Sequence, residues 1–319
     1  MKGSDSPPDA EPSVLGEPPV FNAVDISEQT GVDIEEARRL WRALGFPTTG
    51  LEAAFSPADS EALSTIHEIV ESGLIDLDTA VNLTRGVGQT MARLADWEVA
   101  SLAQVIDEED ATGAGDLLRV LDAMGKPFER LLIYAWRRHL AAAAARVQAL
   151  RANEEDLNTV QLTVGFADIV SFTELSNRLS EERIGDLVEL FESRCSDVVS
   201  SQHGRVIKSI GDSVLFVNGD PIRAYDTADG IINVVGRDSR MPDVRVGLAS
   251  GSVVMRLGDV FGPPVNLAAR LTAVARRNRT IIDAATAELL PADEFETRRL
   301  PGRPVRGFGV VEPVAVRRI

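Results

Sequence analysis

The sequence predicts an all-α N-terminal half followed by an α+β domain, in which a mixed sheet carries helices on one face. Two observations lead to this prediction. From Phe21 to Arg151 the composition is rich in Ala, Leu, Glu and Arg, and apolar residues recur at three- and four-residue spacing, which is typical of amphipathic helices. From Val160 onward, β-rich runs alternate with helical ones, and this mixed order favours an α+β domain.

The N-terminal half divides into a tail, a helical region and a connector. Residues 1–20 are acidic and rich in proline, and we expect them to be disordered. The clearest helix runs from Ile34 to Leu44, because Asp33 can cap its start and Gly45 can end it. Further helices are predicted around Ser60–Ser72, Asp78–Leu94, Trp97–Glu108, Asp116–Met124 and Pro127–Ala152. The predicted organisation is a tail over residues 1–20, a helical domain over 21–130, a connector helix over 131–157 and an α+β domain over 158–319.

Net charge and cysteine content limit the function classes. The chain has 33 Lys and Arg against 49 Asp and Glu, a formal charge of −16, which disfavours binding to DNA phosphates or an anionic membrane. The single cysteine, Cys195, cannot form an intrachain disulfide, so we expect a reducing, cytoplasmic environment. No signal peptide is recognisable, and the most apolar stretch, Leu140–Arg146, is too short to span a bilayer.

Two aspartates stand where a cation and a phosphate could bind. Asp168 ends a predicted buried strand, and a turn with Ser171 and Thr173 then opens a helix whose free N–H groups could meet a phosphate. The alternative is that Asp168 only caps that helix. Asp212 follows Gly211 at the tip of a predicted two-residue hairpin, where an ordinary turn aspartate is the alternative.

Three further side chains have chemistry that suits a nucleotide. Strand alternation places Lys208 on one face with Val206 and Ile210, and a half-buried lysine among apolar neighbours is unusual without a function. Asn266 and Arg270 are four residues apart on a predicted helix, so both can point into one cleft. Either residue alone would be read as part of a polar helix face.

Together these residues predict phosphoryl chemistry on a nucleotide. Two carboxylates can hold two divalent cations that activate a hydroxyl and stabilise a leaving phosphate. Arginine and asparagine can stabilise charge on the transferring phosphorus. Lys208 and the remaining carboxylate, Asp259, suit a donor to a ring nitrogen and an acceptor from an exocyclic amine, a pattern that favours adenine over guanine.

Three motifs in this half resemble those of the class III nucleotidyl cyclases, specifically adenylyl cyclases. They are FADIVSFT (166–173), IKSIGDSVLF (207–216) and GDVFGPPVNLAAR (258–270), in the family's order and spacing. The resemblance implies a ferredoxin-like, palm-type catalytic domain that converts ATP to cyclic AMP and pyrophosphate with two Mg²⁺ or Mn²⁺ ions per site. It also implies a role for each motif residue: metal binding by Asp168, Asp212 and the carbonyl of Ile169, adenine selection by Lys208 and Asp259, ribose orientation by Asn266, and transition-state stabilisation by Arg270.

The resemblance further implies composite active sites in a homodimer, because the family's metal aspartates come from one domain and its Asn/Arg pair from the partner. The N-terminal half more loosely resembles the helical regulatory domain of soluble actinobacterial adenylyl cyclases, a group with pH-sensing, autoinhibited members. A proton, a lipid, another small ligand or a protein partner are alternative signals. His139 in the connector is a candidate pH switch, although a solvated or capping histidine is the simpler interpretation.

Three alternatives to an adenylyl cyclase follow from the same sequence. One is a guanylyl or weakly selective cyclase, and another is a signalling module that only dimerises or binds nucleotide. The third is a DNA-binding regulator, because the run from Ile26 to Leu40 resembles a helix-turn-helix. Between Phe21 and Phe55 six acids face three arginines, a balance of the wrong sign for binding phosphates.

Overall fold

The structure is a computed structural model that describes residues 14–15, 17–46, 55–108, 114–152, 159–256 and 258–319. It divides into two compact units, residues 1–142 and 143–319, which are described separately. Most of the predicted N-terminal tail, and the end of the predicted connector at 153–157, lie outside the described residues. Within the described part, no helix is both long and apolar enough to cross a bilayer.

The first unit is helical, as predicted. Its helices and the long helix that continues beyond it are α1 (Ala23–Thr30), α2 (Ile34–Leu44), α3 (Pro57–Glu71), α4 (Leu77–Glu108) and α5 (Ala114–Ala152). Asp33 caps α2 by accepting from the N–H groups of Glu35 and Glu36, and Gly45 ends it in the left-handed conformation, as the sequence predicts. A core that includes Ile26, Leu40, Trp41 and Leu63 holds the first helices together.

Two helix boundaries in this half differ from the predictions. The segment predicted as two helices, Asp78–Leu94 and Trp97–Glu108, is the single helix α4. Likewise α5 begins at Ala114 and contains Pro127, which we expected to start a separate helix. Proline removes only one main-chain hydrogen bond, so the bonds on either side let a long helix continue through it.

The second unit is built on one mixed sheet. Its strands are β1 (Thr159–Ile169), β2 (Arg205–Ile210), β3 (Ser213–Asn218), β4 (Val244–Arg256), β5 (Asp259–Phe261), β6 (Thr280–Ile282), β7 (Phe295–Arg299), β8 (Arg303–Val305), β9 (Gly309–Val311) and β10 (Val314–Arg318). The sheet order is β2-β3-β1-β4-β6-β10-β7, with β5 paired to β4, and β8 and β9 form a separate hairpin. The β4–β6 pair is parallel and the other pairs are antiparallel, so the predicted mixed sheet is confirmed.

Helices lie against both faces of this sheet. They are α6 (Phe172–Ser176), α7 (Glu181–Ser201), α8 (Pro221–Arg237), α9 (Pro263–Val274) and α10 (Ala284–Leu289). Helices α7 and α8 pack on one face around Phe191, Ile231 and Phe216, as expected for this fold class. The departure is α9, which packs on the opposite face through Ala268 and Leu271.

Gly165 and Asp283 are each closely constrained by their neighbours in the second unit. Gly165 in β1 lies opposite Phe216, and a Cβ at that position would stand 2.2 Å from the ring. Asp283 caps α10, where its carboxylate accepts from the N–H groups of Thr286 at 2.9 Å and Ser250 at 3.4 Å. Burial raises the pKa of Asp283 although these hydrogen bonds act in the opposite direction.

Candidate active site

Asp168 lies near the end of β1, opposite Ser213 of β3 on one side and Arg245 of β4 on the other. One carboxylate oxygen accepts from the Ser213 hydroxyl at 2.5 Å. The other accepts from Nε of Arg245 at 2.8 Å, and Nη2 of the same guanidinium lies 2.7 Å from it in an ion pair. Asp168 does not cap α6, because the N-cap residue of that helix is Ser171.

Asp212 occupies the tip of the β2–β3 hairpin, as predicted. Gly211 takes the first central position of the turn with a φ of +60°, a conformation that suits glycine. The main-chain N–H of Ile169 donates to the carbonyl of Asp212 at 3.1 Å, so the hairpin tip is tied to the end of β1. Burial, followed by the nearby charge of Asp168, raises the pKa of the Asp212 carboxyl.

The two carboxylates fit a divalent cation. The pKa of Asp212 is raised first by burial and then by the charge of Asp168, and a cation beside the two carboxylates would favour their charged forms. Mg²⁺ is commonly held by one or two carboxylates together with phosphate oxygens. The side chain of Ile169 is buried in the core and carries no ligand atom, so any ligand from this residue would be its main-chain carbonyl. Among the described residues, no three His, Cys, Asp or Glu side chains gather into a ready-made metal centre.

The structure brings Lys208 and Asp259 together. Nζ of Lys208 donates to Oδ2 of Asp259 at 2.5 Å, and the two side chains are 38% and 26% exposed. The expectation that Val206 and Lys208 share a face was wrong, because the β2–β3 register shifts between them. Val206 pairs with Phe216, whereas Lys208 pairs with Leu215, and these partners belong to opposite faces. A bulge of this kind re-aims a side chain, here toward Asp259.

Asn266 and Arg270 lie one turn apart on α9, and both are exposed. The helix begins with Pro263 and Pro264 after Gly262, whose φ is +143°. Neither Asn266 nor Arg270 makes a side-chain hydrogen bond or ion pair to any residue that the structure describes. The predicted set is thus divided: Asp168, Ile169 and Asp212 meet at one place, Lys208 meets Asp259, and the α9 pair stands free of both.

Sequence reasoning missed Arg245 and Ser213. Arg245 binds Asp168 and also donates to the carbonyl of Ala273 at 3.0 Å, at the end of α9. A signal was present, because Arg245 is a lone cation in the run Val244-Arg-Val-Gly-Leu248 of a core strand. Lys208 was a candidate because it is a charged residue among apolar neighbours in a strand, and Arg245 meets the same criterion. Ser213 offers no comparable signal, since serine after a turn is common.

Fold and site together define an α+β domain with a pair of neighbouring carboxylates and a separate lysine–aspartate pair. The family model described as "Adenylate and Guanylate cyclase catalytic domain" matches residues 155–316. An adenylate cyclase of Streptomyces coelicolor is 37% identical over 94% of this chain and 86% of its own length. A pH-sensitive adenylate cyclase of Mycobacterium tuberculosis is 32% identical over 93% of this chain and 78% of its own length.

The chain belongs to the class III adenylyl and guanylyl cyclase family. It is thus an enzyme of the phosphorus–oxygen lyase type, whose catalytic domain binds a nucleotide and generally uses divalent metal ions. Among solved structures, the catalytic core of a rhodopsin-guanylyl cyclase with converted specificity, in complex with ATPαS, is similar at 25% identity. That alignment covers 51% of this chain and 98% of the other, with a TM-score of 0.48.

Proposed function

We propose that the chain is an adenylyl cyclase that converts ATP to 3′,5′-cyclic AMP and pyrophosphate. The observation that carries this proposal is the Lys208–Asp259 pair at 2.5 Å. Held together, the ammonium can donate to a ring nitrogen of adenine. Oδ1 of Asp259 accepts from the N–H of Val260 at 2.8 Å, and its second lone pair can accept from the exocyclic amine. Guanine presents the reverse pattern at these atoms, so the pair would select against GTP. The names of the relatives support the same substrate.

In the proposed reaction, the ribose 3′-oxygen attacks the α-phosphorus. The new O–P bond closes the ring, the bond from the α-phosphorus to the bridging oxygen breaks, pyrophosphate leaves, and the hydroxyl proton is released. Asn266 would orient the ribose, because an amide can both donate and accept a hydrogen bond. Arg270 would stabilise the negative charge that builds up around the phosphorus, and its donors are available because it makes no side-chain bond to any residue that the structure describes.

Two Mg²⁺ or Mn²⁺ ions would be held by Asp168, Asp212 and the carbonyl of Ile169. When bound, such ions acidify the attacking hydroxyl and neutralise phosphate oxygens. Asp168 would have to exchange its bonds to Arg245 for bonds to a cation, and this exchange leaves the guanidinium beside the incoming phosphates. Because the two carboxylates repel each other, the site by itself favours cations over anions.

We further propose that the active sites are composite and that the chain works as a homodimer. Arg270 is exposed and makes no hydrogen bond or ion pair to Asp168 or Asp212. In addition, large apolar side chains are exposed around the site: Ile210 at the hairpin tip is 51% exposed, Phe261 51% and Val254 42%. Exposed apolar residues around a polar site are typical of an interface.

The N-terminal helical unit would regulate the enzyme. It has a hydrophobic core of its own, and α5 runs without a break from Ala114 to Ala152. A proton acting through His139 remains one hypothesis for the signal. The single, buried Cys195 suits a cytoplasmic location. DNA binding is disfavoured because two of the three arginines on α2, Arg38 and Arg39, bond to acids.

Turnover of ATP against GTP with Mn²⁺ tests the substrate proposal. We expect the native chain to prefer ATP, and the double variant K208E/D259C to shift the ratio toward GTP. The exposed pair Arg299–Glu312 provides a control, since R299A/E312A should leave the ratio unchanged. D212A should abolish turnover, and activity that survives it would contradict the two-metal assignment. A native chain that binds ATP without forming cyclic AMP would instead favour the nucleotide-binding module.

Regulation is tested by comparing the full chain with a fragment of residues 155–319 across pH. The catalytic unit has core clusters on both faces of its sheet, so we expect the fragment to fold. A pH profile that differs between the two would support control by the N-terminal unit, and higher activity in the fragment would assign autoinhibition. Identical activities and profiles would contradict regulation by the helical unit.

A further inference from the structure

A cleft of about 480 Å³ opens beside α9 at the far end of the sheet, and four arginines line it. We name it the arginine cleft and define it by Arg276, Arg279, Arg298 and Arg303. All four side chains are exposed. Within the described part of the chain, none of the four makes a side-chain hydrogen bond or an ion pair. No acidic residue is among those that line the cleft.

This concentration of unpaired positive charge is unusual on a chain with a net charge of −16. The arginines that follow Arg276 and Arg298 in the sequence are paired: Arg277 bonds Asp243, and Arg299 bonds Glu312. Glu296, two residues before Arg298, bonds Arg317 at 2.6 Å. Acids near the cleft are therefore committed to other arginines. The described residues that line the cleft supply no acidic partner for its four arginines.

Strand register explains how the cleft is built. Ile281 of β6, Ala315 of β10 and Arg298 of β7 lie side by side across three strands, so all three share a face. Leu300, two residues after Arg298, packs against the same core as α9. The floor is therefore apolar and partly buried, while the guanidinium groups stand at the rim. Clefts of ligand size commonly combine an apolar floor with a few charged groups.

We propose that the arginine cleft is a second anion-binding site, one that takes an oligophosphate. Guanidinium groups bind phosphate oxygens in a bidentate manner, and four of them match an anion that carries several charges rather than a single carboxylate. None of the seven residues assigned to catalysis and substrate binding lines the cleft. A free inorganic oligophosphate and the phosphate chain of a nucleotide present the same chemistry, and the apolar floor could also accept a nucleoside.

Calorimetric titration of the full chain with inorganic tripolyphosphate in EDTA tests this proposal. Without divalent ions, Asp168 and Asp212 repel an anion, so binding at the catalytic carboxylates is suppressed. We expect saturable binding by the native chain and a loss of at least about tenfold in affinity in R276Q/R298Q, because two charge-assisted contacts are removed. The matched control R277Q/R299Q removes the same charge from the adjacent positions and should bind like the native chain.

Three results would overturn the proposal. The first is that the native chain does not bind tripolyphosphate. The second is an equal loss of affinity in R277Q/R299Q, which would mean a general charge effect. The third is loss of binding in R270Q, which would place the anion at the catalytic arginine. ATP in EDTA then distinguishes the two sources of phosphate. Tighter binding of ATP than of tripolyphosphate that R276Q/R298Q removes assigns the cleft to a nucleotide, and equal or weaker binding of ATP assigns it to inorganic oligophosphate. Since no turnover is measured, the result is independent of the proposed cyclase activity.

Discussion

Replacing Arg245 with methionine should destabilise the catalytic unit in a way that divalent cations reverse. Arg245 donates one hydrogen bond to Asp168 at 2.8 Å and forms an ion pair with it at 2.7 Å. It donates another hydrogen bond to the Ala273 carbonyl at 3.0 Å. Methionine has a similar length but no donor. Asp168 would keep only the Ser213 hydroxyl as a partner, while it continues to repel Asp212.

The size of the effect follows from the burial of the pair. A hydrogen bond to a charged group contributes about 1.5–3 kcal/mol, and an unsatisfied buried partner costs a similar amount. Because the two side chains are 28% and 15% exposed, we take the lower part of that range, about 2 kcal/mol. For a unit of this size, that loss corresponds to a decrease in Tm of about 4–8 °C.

Thermal melting in EDTA and in Mn²⁺ provides the assay. In EDTA, R245M should melt below the native chain by the stated amount. In Mn²⁺ the difference should shrink, because a cation at the two aspartates replaces the lost positive charge. The control is R277M, which removes a 3.3 Å pair whose arginine is 72% exposed and should change Tm little in either condition. A native-like Tm for R245M in EDTA, or a deficit that Mn²⁺ leaves unchanged, would refute the reasoning.

Other substitutions test the packing of the same unit. G165A should lower stability by about 1–3 kcal/mol because its methyl group meets the Phe216 ring, whereas G185A on α7, where nothing lies within 4 Å, should be neutral or stabilising; urea unfolding of both variants measures the contrast. D283A should cost about 1–2 kcal/mol by removing a helix cap, and D283N, which keeps an acceptor oxygen, should cost less by the same measurement. The raised pKa of Asp283 means that folding favours its protonated form, so the stability gained from protonation is present at low pH and is lost as the pH rises through the folded pKa. The native chain should therefore gain stability relative to D283N between pH 7 and pH 4. A stability difference that stays constant over this range would contradict the assignment. Burial raises the pKa of the Cys195 thiol, so iodoacetamide should label it only after unfolding, as mass spectrometry would detect.

The sequence predicted local structure best where a single residue sets the backbone. Asp33 and Gly45 bound α2 as expected, and Gly211 turns the hairpin that presents Asp212. The sequence predicted the helix boundary at Pro127 less well. Proline removes one main-chain hydrogen bond at that point, whereas the remaining bonds extend over the whole of α5 and keep it continuous.

For the site, the sequence by itself determined the set of chemical groups, because the motifs supply two aspartates, a lysine–aspartate pair and the Asn266/Arg270 pair in a fixed order. Only the tertiary structure decided which of these meet. The bulge after Val206 turns Lys208 to Asp259, a partner 51 residues away, and strand pairing brings Arg245 to Asp168 from 77 residues away. The same pairing of distant strands gathers Arg298 beside α9 in the arginine cleft. The periodicity and spacing of residues in the sequence describe neighbours along one helix or strand. The register between strands depends instead on how the whole sheet packs, and no local stretch of sequence contains that information.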